Sequence, residues 1–263
     1  MKSRKPSIPY LIWMVIFTLI PLVTIVYYAF TDKSGHFSFE PFKNAFFYSD
    51  IFARSLWIAF VSCLICILLA YPMAYIISRC KEKTQSMLIM LITIPMWMNF
   101  LLRIYAWVIL LQNNGPIDTA LSLLGINADL MNNDGAVILG MVYEFLPFMI
   151  LPIYTVMSKI DNRLIEAAQD LGSNGFHIFR KVVLPLSIPG IISGVTMVFV
   201  PSASTFLVAQ YLGGTDNIMI GDIIDKIFWT DQNTGSAISL MLMAAILVFL
   251  IVMNLFGDEE AIS

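Results

Sequence analysis

The chain alternates between six long apolar stretches and shorter polar segments. The apolar stretches cover about residues 10–30, 55–78, 87–111, 136–158, 187–209 and 237–256. Each is close to or longer than the roughly 20 residues that an α-helix needs to cross a bilayer. The pattern predicts an all-α membrane protein with six transmembrane helices. We interpret residues 1–263 as a single transmembrane domain, with a first helix at 10–30 and a five-helix core at 55–256.

The composition supports the same class. Of the 263 residues, 59% are hydrophobic and only 13% are charged, which is more apolar surface than one water-soluble core can bury. The first apolar stretch is too long for the hydrophobic part of a signal peptide, and no small-residue cleavage site follows it. We therefore expect a retained first helix.

The basic residues predict the orientation, because Lys and Arg concentrate in cytoplasmic loops. Most of them fall on one side of the predicted helices: Lys2, Arg4, Lys5, Arg79, Lys81, Lys83, Lys159, Arg163, Arg180 and Lys181. The opposite side has Lys33, Lys43, Arg54 and Lys226. The N-terminus and the loop at 159–186 are therefore predicted to be cytoplasmic.

The acidic residues have the opposite distribution. Those assigned to the outer loops are Asp32, Glu40, Asp50, Asp118, Asp129, Asp134, Asp216, Asp222, Asp225 and Asp231. A negative outer face raises the local concentration of a cationic solute. Alternatively, these acids only keep soluble a set of loops that lack Lys and Arg for reasons of topology.

The polar loop at 159–186 predicts a short helix on the membrane surface. Leu164, Ala167, Ala168 and Leu171 recur at helical spacing, so small and apolar side chains share one face. Small residues permit close backbone approach, and Glu166 adds a fixed charge. Such a helix is suited to contact a soluble partner.

The same loop carries signals that begin and end helices. Asp161 is a candidate N-cap and Gly172 a candidate C-terminal stop for the first helix. Ser173 is a candidate N-cap for a second short helix, which the basic pair Arg180 and Lys181 and then Pro185 would end. We expect two short helices that meet at an angle.

Two charged residues fall inside predicted transmembrane helices, where burial is costly. Arg103 lies on the third helix and Glu144 on the fourth, at similar depths, so they can form an ion pair. The alternative is that one of them lines a transport pathway. Trp97, Asn99 and Tyr105 lie on the same third helix, and Trp97 is too deep for the interfacial aromatic belt.

Proline is frequent inside the predicted helices: Pro21, Pro72, Pro95, Pro147, Pro152, Pro189 and Pro201. Each proline removes a backbone hydrogen bond and can bend its helix, so we expect a kinked bundle. Bent helices in transporters lie where a cavity opens and closes. Gly190 and Gly194 have the spacing that lets another helix pack closely.

Other chemistry has little support. Cys63 and Cys66 form a C-x-x-C inside an apolar helix without a nearby histidine, which favours small core side chains over a metal or redox site. His36 and His177 fall on opposite sides of the membrane.

The chain has no phosphate-binding G-x-x-x-x-G-K-S/T motif, so we do not expect an enzyme that hydrolyses ATP. Its scattered basic residues do not indicate binding to nucleic acid.

The cytoplasmic loop resembles the coupling loop in permease subunits of bacterial ABC importers. The matching positions are Glu166-Ala167-Ala168, Gly172 and Leu184-Pro185, with Val182 where the family has isoleucine. The resemblance implies a type I importer permease fold in which coupling helices contact an ATPase. The residues implied in that contact are Glu166, Ala167, Ala168, Asp170, Gly172 and Pro185.

Three further segments resemble the B-type permease subunit of bacterial spermidine/putrescine importers. They are 97–105, 143–149, and 211–214 together with 220–222, and the likeness extends over about 55–256. With the buried charges, they provide the candidate pathway residues Trp97, Asn99, Arg103, Tyr105, Glu144 and Asp222. Glu144 is not part of the family pattern.

The resemblance implies the rest of the transporter in a bacterial inner membrane. A second, similar permease would share the pathway, two ATPase subunits would bind ATP and Mg²⁺, and an external protein would deliver the polyamine. No cofactor is expected in this chain. The ammonium groups of a polyamine suit carboxylates and the faces of Trp97 and Tyr105. The alternatives are an importer permease for another small solute, such as an amino acid or an oxyanion, and a stand-alone secondary transporter or channel.

Overall fold

A computed structural model describes residues 12–126, 129–215 and 217–261. Lys2, Arg4 and Lys5, the first two residues of the predicted first helix and Asp216 lie outside the described residues. The helices are α1 Ile12–Ala29, α2 Glu40–Ala45, α3 Ser49–Ser78, α4 Glu82–Thr93, α5 Phe100–Leu111, α6 Pro116–Leu123, α7 Asp134–Met157, α8 Asn162–Asp170, α9 Gly175–Ile178, α10 Leu184–Ser204, α11 Ile220–Phe228 and α12 Gln232–Ala261.

Within this described part, five helices are long and apolar enough to cross a membrane, and a bent pair makes a sixth. Three of the five are the single helices α1, α7 and α12. The other two are continuous runs, one formed by α2 and α3 and the other by α9 and α10. The six predicted apolar stretches are therefore confirmed as helical. Most of the predicted boundaries lie within about five residues of the observed ones. The exceptions are the second helical run, which starts fifteen residues earlier than expected, at Glu40, and the fifth, which starts twelve residues earlier, at Gly175.

The third span is broken, whereas the hydrophobic pattern predicts one helix at 87–111. α4 passes into a 3-10 turn at Ile94–Trp97, and the chain then bends by 91° before α5. Pro95 has no N–H to continue an α-helix. Asn99 begins α5, because its side-chain oxygen accepts a hydrogen bond from the N–H of Leu101. Hydropathy alone cannot detect this break, since the residues around it remain apolar.

Asparagine and aspartate side chains also begin three other helices. Asn133 accepts a hydrogen bond from the N–H of Ala136 at the start of α7, and Asp161 caps α8 as predicted. At the start of α9 the cap is Asn174, which accepts from the N–H of His177. The prediction that Ser173 caps this helix is wrong by one residue.

The second helix of the polar loop does not stop at Pro185. After α9 the chain continues through a π-helical turn, Phe179–Val183, directly into α10. In that turn the N–H of Leu184 bonds to the carbonyl of Phe179, five residues back. The wider turn accommodates Pro185, whose missing N–H cannot complete an ordinary α-helical turn. A π turn also precedes Pro21 in α1.

The main hydrophobic core lies between α3, α7 and α10. Two glycines of α10 permit the closest approach, as the G-x-x-x-G spacing predicts. A Cβ on Gly190 would lie 3.0 Å from the Cα of Ile153, and one on Gly194 would lie 2.6 Å from the sulfur of Met149. Both contacts are to α7, so these glycines let α10 pack directly on the most buried helix of the bundle.

A smaller hydrophobic cluster joins the first and last spans. It contains Ala29 of α1, Ala45 of α2, residues 220 and 223 of α11, and residues 237, 238 and 242 of α12. Asn233 reinforces it by donating hydrogen bonds to the carbonyls of Tyr28 and Thr31. The pattern of long apolar runs missed α2, α6 and α11, because each is too short to produce one.

Candidate coupling surface and transport pathway

α8 projects from the bundle as a polar helix with uncovered apolar side chains. Glu166, Ala167 and Asp170 are exposed. Leu164 is 50% exposed and Leu171, just beyond the helix, is 86% exposed. Exposed large apolar residues in a polar surface segment are common at surfaces that bind a protein or a membrane.

The opposite face of α8 holds it to the bundle. Ile165 and Ala168 pack against the main hydrophobic core. Gly172 then ends the helix with a φ of +78°, and nothing lies within 4 Å of where its Cβ would be. Gly172 is therefore needed for its left-handed backbone conformation and not for space. The predicted end of the helix is confirmed.

Beyond α8, residues 171–174 form a short turn that leads into one continuous helix. The run Gly175–Ser204 is helical throughout, so α9 and the π turn are continuous with the spanning helix α10. Pro185 lies exposed at the start of α10. α9, the π turn and α10 thus form one continuous helix that packs on α7, and residues 171–174 join this helix to α8.

Two candidate pathway residues lie at the break of the third span. Trp97, at the end of the 3-10 turn, is 90% exposed, and Asn99 is exposed as the cap of α5. Trp107 differs, because its ring lies 5.4 Å from that of Tyr143 on α7. The structure therefore presents Trp97 to the surroundings of the bundle and packs Trp107 against it.

Arg103 and Glu144 form an ion pair between α5 and α7, so the predicted pairing is confirmed. The Nη2 atom of Arg103 lies 2.7 Å from Oε2 of Glu144, and the two side chains are 8% and 1% exposed. The remaining polar atoms are poorly satisfied. Nε of Arg103 and both carboxylate oxygens of Glu144 are buried without a hydrogen bond of acceptable geometry among the described residues.

Tyr105 lies on a different face of α5 from Arg103. Its ring contacts that of Tyr211 edge to face, with 5.0 Å between ring centres, and 43% of it is exposed. Tyr211 belongs to a third π turn, Ala209–Gly213, which follows α10. Gly214 then turns the chain with a φ of +69°, and its Cβ would clash with Asn132.

Asp222 does not join the other pathway candidates in a contact. It is buried in the first turn of α11 and pairs with Lys226 one turn later, at 2.8 Å. A carboxylate in the first turn is also favoured by the helix dipole. The geometry is that of a local ion pair within one helix.

The end of the bundle opposite α8 contains a polar network that the hydrophobic pattern does not reveal. Arg54 at the start of α3 pairs with Asp134 of α7 and donates to Asn217, and Asn217 donates to the carbonyl of Asn132. In a loop near this end, hydrogen bonds from the N–H groups of His36 and Ser34 hold the pKa of Asp32 below its usual value.

The two cysteines of the C-x-x-C are buried in the core on α3 as free thiols. Among the described residues, no group of three or more His, Cys, Asp or Glu side chains could hold a metal ion.

Comparison with protein families identifies one match over almost the whole chain. Residues 5–258 match the model of the binding-protein-dependent transport system inner membrane component. Curated relatives carry a more specific description, spermidine/putrescine transport system permease protein PotB. The protein of that name from Haemophilus influenzae is 39% identical over 252 residues, which cover 90% of this chain and 88% of the relative. That from Escherichia coli is 32% identical over 91% of this chain and 92% of its own length.

Solved structures with the same fold come from bacterial ABC transporters. A chain of a transporter for the acidic polysaccharide alginate superposes with a TM-score of 0.77, at 17% identity over 97% of this chain and 94% of its own. A chain from the alginate transporter in complex with its substrate-bound periplasmic protein has a TM-score of 0.80, at 15% identity over 97% of this chain and 93% of its own. At these identities the comparison shows the fold alone.

Proposed function

Because the chain belongs to the family of binding-protein-dependent transport system inner membrane components, we propose that it is the pore-forming permease subunit of an ATP-driven polyamine importer. The observation that carries this proposal is α8, an exposed polar helix with uncovered apolar side chains that residues 171–174 join to a continuous helix into the core. The names of the curated relatives support spermidine or putrescine as the solute.

The proposed coupling surface consists of Glu166, Ala167, Asp170 and Gly172, and Ala168 supports it from the side that faces the core. A separate ATPase subunit binds it, and two such subunits drive the complete transporter. The ATPase subunits bind ATP and Mg²⁺, and this chain converts their closure into movement of α10. Pro185 contributes at the joint, because the π turn before it connects the surface helices to the spanning helix.

The proposed pathway follows the broken third span. A second, similar permease faces the exposed residues Trp97, Asn99 and Tyr105, and the solute passes between the two subunits. Aromatic faces attract ammonium groups by about 0.5–2 kcal/mol each, which is weak enough for release. Asp222 contributes to the electrostatic field at the opposite end from α8, not to a direct contact with Arg103 or Glu144.

The proposed orientation places the N-terminus and α8 in the cytoplasm. Three basic residues near the N-terminus and the Lys and Arg of the α8 loop support it. An external polyamine-binding protein then meets the opposite end of the bundle. An ionised Asp32 is among the acids at that end, and its low pKa keeps it negative over the physiological range.

The test is uptake of labelled spermidine into membrane vesicles that contain this chain and its co-purifying subunits. Uptake should require ATP and the external binding protein. Glu166→Lys should abolish it, because the surface charge facing the ATPase is reversed. Glu82→Lys is the matched control, since Glu82 is an exposed carboxylate outside α8, and it should retain uptake.

Three outcomes would contradict the proposal. Uptake driven by an ion gradient without a bound ATPase would indicate a secondary transporter. ATP-dependent uptake of an amino acid or an oxyanion but not of spermidine would indicate another importer. Wild-type uptake by Glu166→Lys would remove the coupling role of α8.

A further inference from the structure

The Arg103–Glu144 pair combines three properties that a purely structural contact does not need. It lies inside a transmembrane bundle, it is charged, and some of its buried polar atoms have no hydrogen-bond partner in the part of the chain that the structure describes. Ionisable groups at such depth are costly and are retained mainly for function. A buried ion pair is stabilising only when its remaining donors and acceptors are also satisfied.

The position of the pair adds a second argument. Glu144 lies near the middle of α7, a helix of 24 residues, so it lies near the centre of a spanning segment. Arg103 lies in the first turn of α5, directly after the break at Asn99. Broken spans place such half-helix ends at the depth where transporters bind solutes.

The two partners differ in how firmly they are held. Glu144 belongs to α7, which is buried between α3 and α10. Arg103 belongs to a half-helix in which only Arg103, Ile104 and Leu111 are buried, so α5 is held less tightly than α7. Movement of α5 at its break therefore removes the arginine and leaves the carboxylate in place. The fixed group is an anion, so the site it defines accepts a cation.

We propose that Glu144 is a subsite for one ammonium group of the transported solute, and that Arg103 occupies this subsite when the solute is absent. The inference rests on the proposed function and adds a specific contact to it. When α5 moves away from α7, a solute ammonium group replaces the guanidinium group on the carboxylate. No covalent bond changes.

Exchange of one cation for another explains how a transporter can use a buried carboxylate without trapping its solute. Glu144 is paired before, during and after passage, so its carboxylate is never left without a counter-charge in the membrane interior. The net gain on binding is small because a contact to Arg103 is lost for each contact to the solute. Tyr105 and Trp97 lie exposed on the same broken span and can contact the solute on either side of this step.

The test uses the complete transporter with its binding protein in vesicles, and compares spermidine uptake with solute-stimulated ATP hydrolysis. Glu144→Gln should lower the rate of spermidine uptake about 10- to 100-fold, as expected for loss of one hydrogen bond to a charged group. Glu144→Asp, which keeps the carboxylate, should recover most of that rate. ATP hydrolysis should persist in both variants, because α8 is unchanged.

The double variant Arg103→Gln/Glu144→Gln separates a solute subsite from a structural pair. It contains no unpaired charge, so the complex should assemble at wild-type yield. If the carboxylate is a subsite, uptake by this assembled complex should stay as low as in Glu144→Gln. Wild-type uptake by the double variant would overturn the inference, as would equal uptake by Glu144→Gln and the wild type. If the wild-type complex itself takes up no spermidine, the proposed function fails instead.

Discussion

Two buried polar contacts join neighbouring helices of this bundle, and they differ in a useful way. Tyr71 of α3 meets Ser187 of α10, with 3.0 Å between the hydroxyl oxygens, and Arg103 of α5 meets Glu144 of α7. The first contact is neutral and complete. Ser187 donates its only hydroxyl proton to the carbonyl of Leu184, so Tyr71 must donate to Ser187.

The second contact is charged and incomplete, as its unpartnered atoms show. In an apolar surrounding, a satisfied neutral contact holds helices together at little cost, whereas an unsatisfied charge destabilises the folded state. The comparison teaches that the contact of Tyr71 with Ser187 holds α3 and α10 together at little cost, whereas the contact of Arg103 with Glu144 is costly to bury, which is why we propose a role in transport for it.

Arg103→Leu should have the largest effect on stability. It leaves the buried carboxylate of Glu144 without a counter-charge, which costs about 3–5 kcal/mol. Thermal unfolding of the purified complex in detergent measures this loss. The double variant Arg103→Leu/Glu144→Leu is the control and should recover most of it. Equal losses in the single and double variants would show that packing, not charge, dominates at this contact.

Ser187→Ala should have the next largest effect. It removes the acceptor of the Tyr71 hydroxyl, which then stays buried without a partner, at a cost of about 1–3 kcal/mol. Ser193→Ala on the same helix is the matched control, because the hydroxyl of Ser193 is exposed and bonds only to the carbonyl of Pro189. The same thermal unfolding measurement should find little change there. Equal losses would contradict the role given to the Tyr71 contact.

Tyr71→Phe should cost less than Ser187→Ala, about 0.5–1.5 kcal/mol. The variant removes the donor and its hydrogen bond together, while Ser187 keeps its bond to the carbonyl of Leu184. The ring also keeps its edge-to-face contact with Phe179, at 5.6 Å between ring centres. If thermal unfolding ranks the two variants in the reverse order, Tyr71 is not the donor.

Lys226→Gln should have the smallest effect, below about 1 kcal/mol. Its partner Asp222 is buried, but the lysine side chain is 59% exposed, so solvent screens the pair. The N-terminus of α11 also stabilises Asp222 in its absence. The loss should shrink further at high salt. A loss comparable to that of Arg103→Leu at any salt concentration would contradict the distinction between exposed and fully buried ion pairs.

Local signals predicted those parts of the fold that depend on neighbouring residues. Asp161 and Gly172 begin and end α8 as expected, because capping and a left-handed backbone are properties of a few adjacent residues. Ser173 and Asn174 are both good N-cap residues for α9, and the structure shows that Asn174 is the N-cap. Propensity does not distinguish two good capping residues that are adjacent.

The continuation of helix through Phe179–Val183 could not be predicted in the same way. A proline shortly after a basic pair is an ordinary stop signal for a helix, but a π turn before Pro185 accommodates the proline. The break before α5 is the opposite case, because here the sequence pattern predicts a continuous helix and the structure has a break. Apolar residues continue through Met98, so hydropathy predicts a helix, while the chain bends there by 91°.

The amino-acid order by itself determined that this protein crosses a membrane in several helices, because apolar length and the lack of charge require it. It also determined that the polar loop forms the short helix α8, since helix caps and the spacing of apolar residues depend only on residues that are close in the chain. Only the tertiary structure decided which residues meet, such as Tyr71 with Ser187 and Arg103 with Glu144. These contacts depend on the rotation and bend of helices far apart in the chain, and hydrophobic periodicity does not specify either.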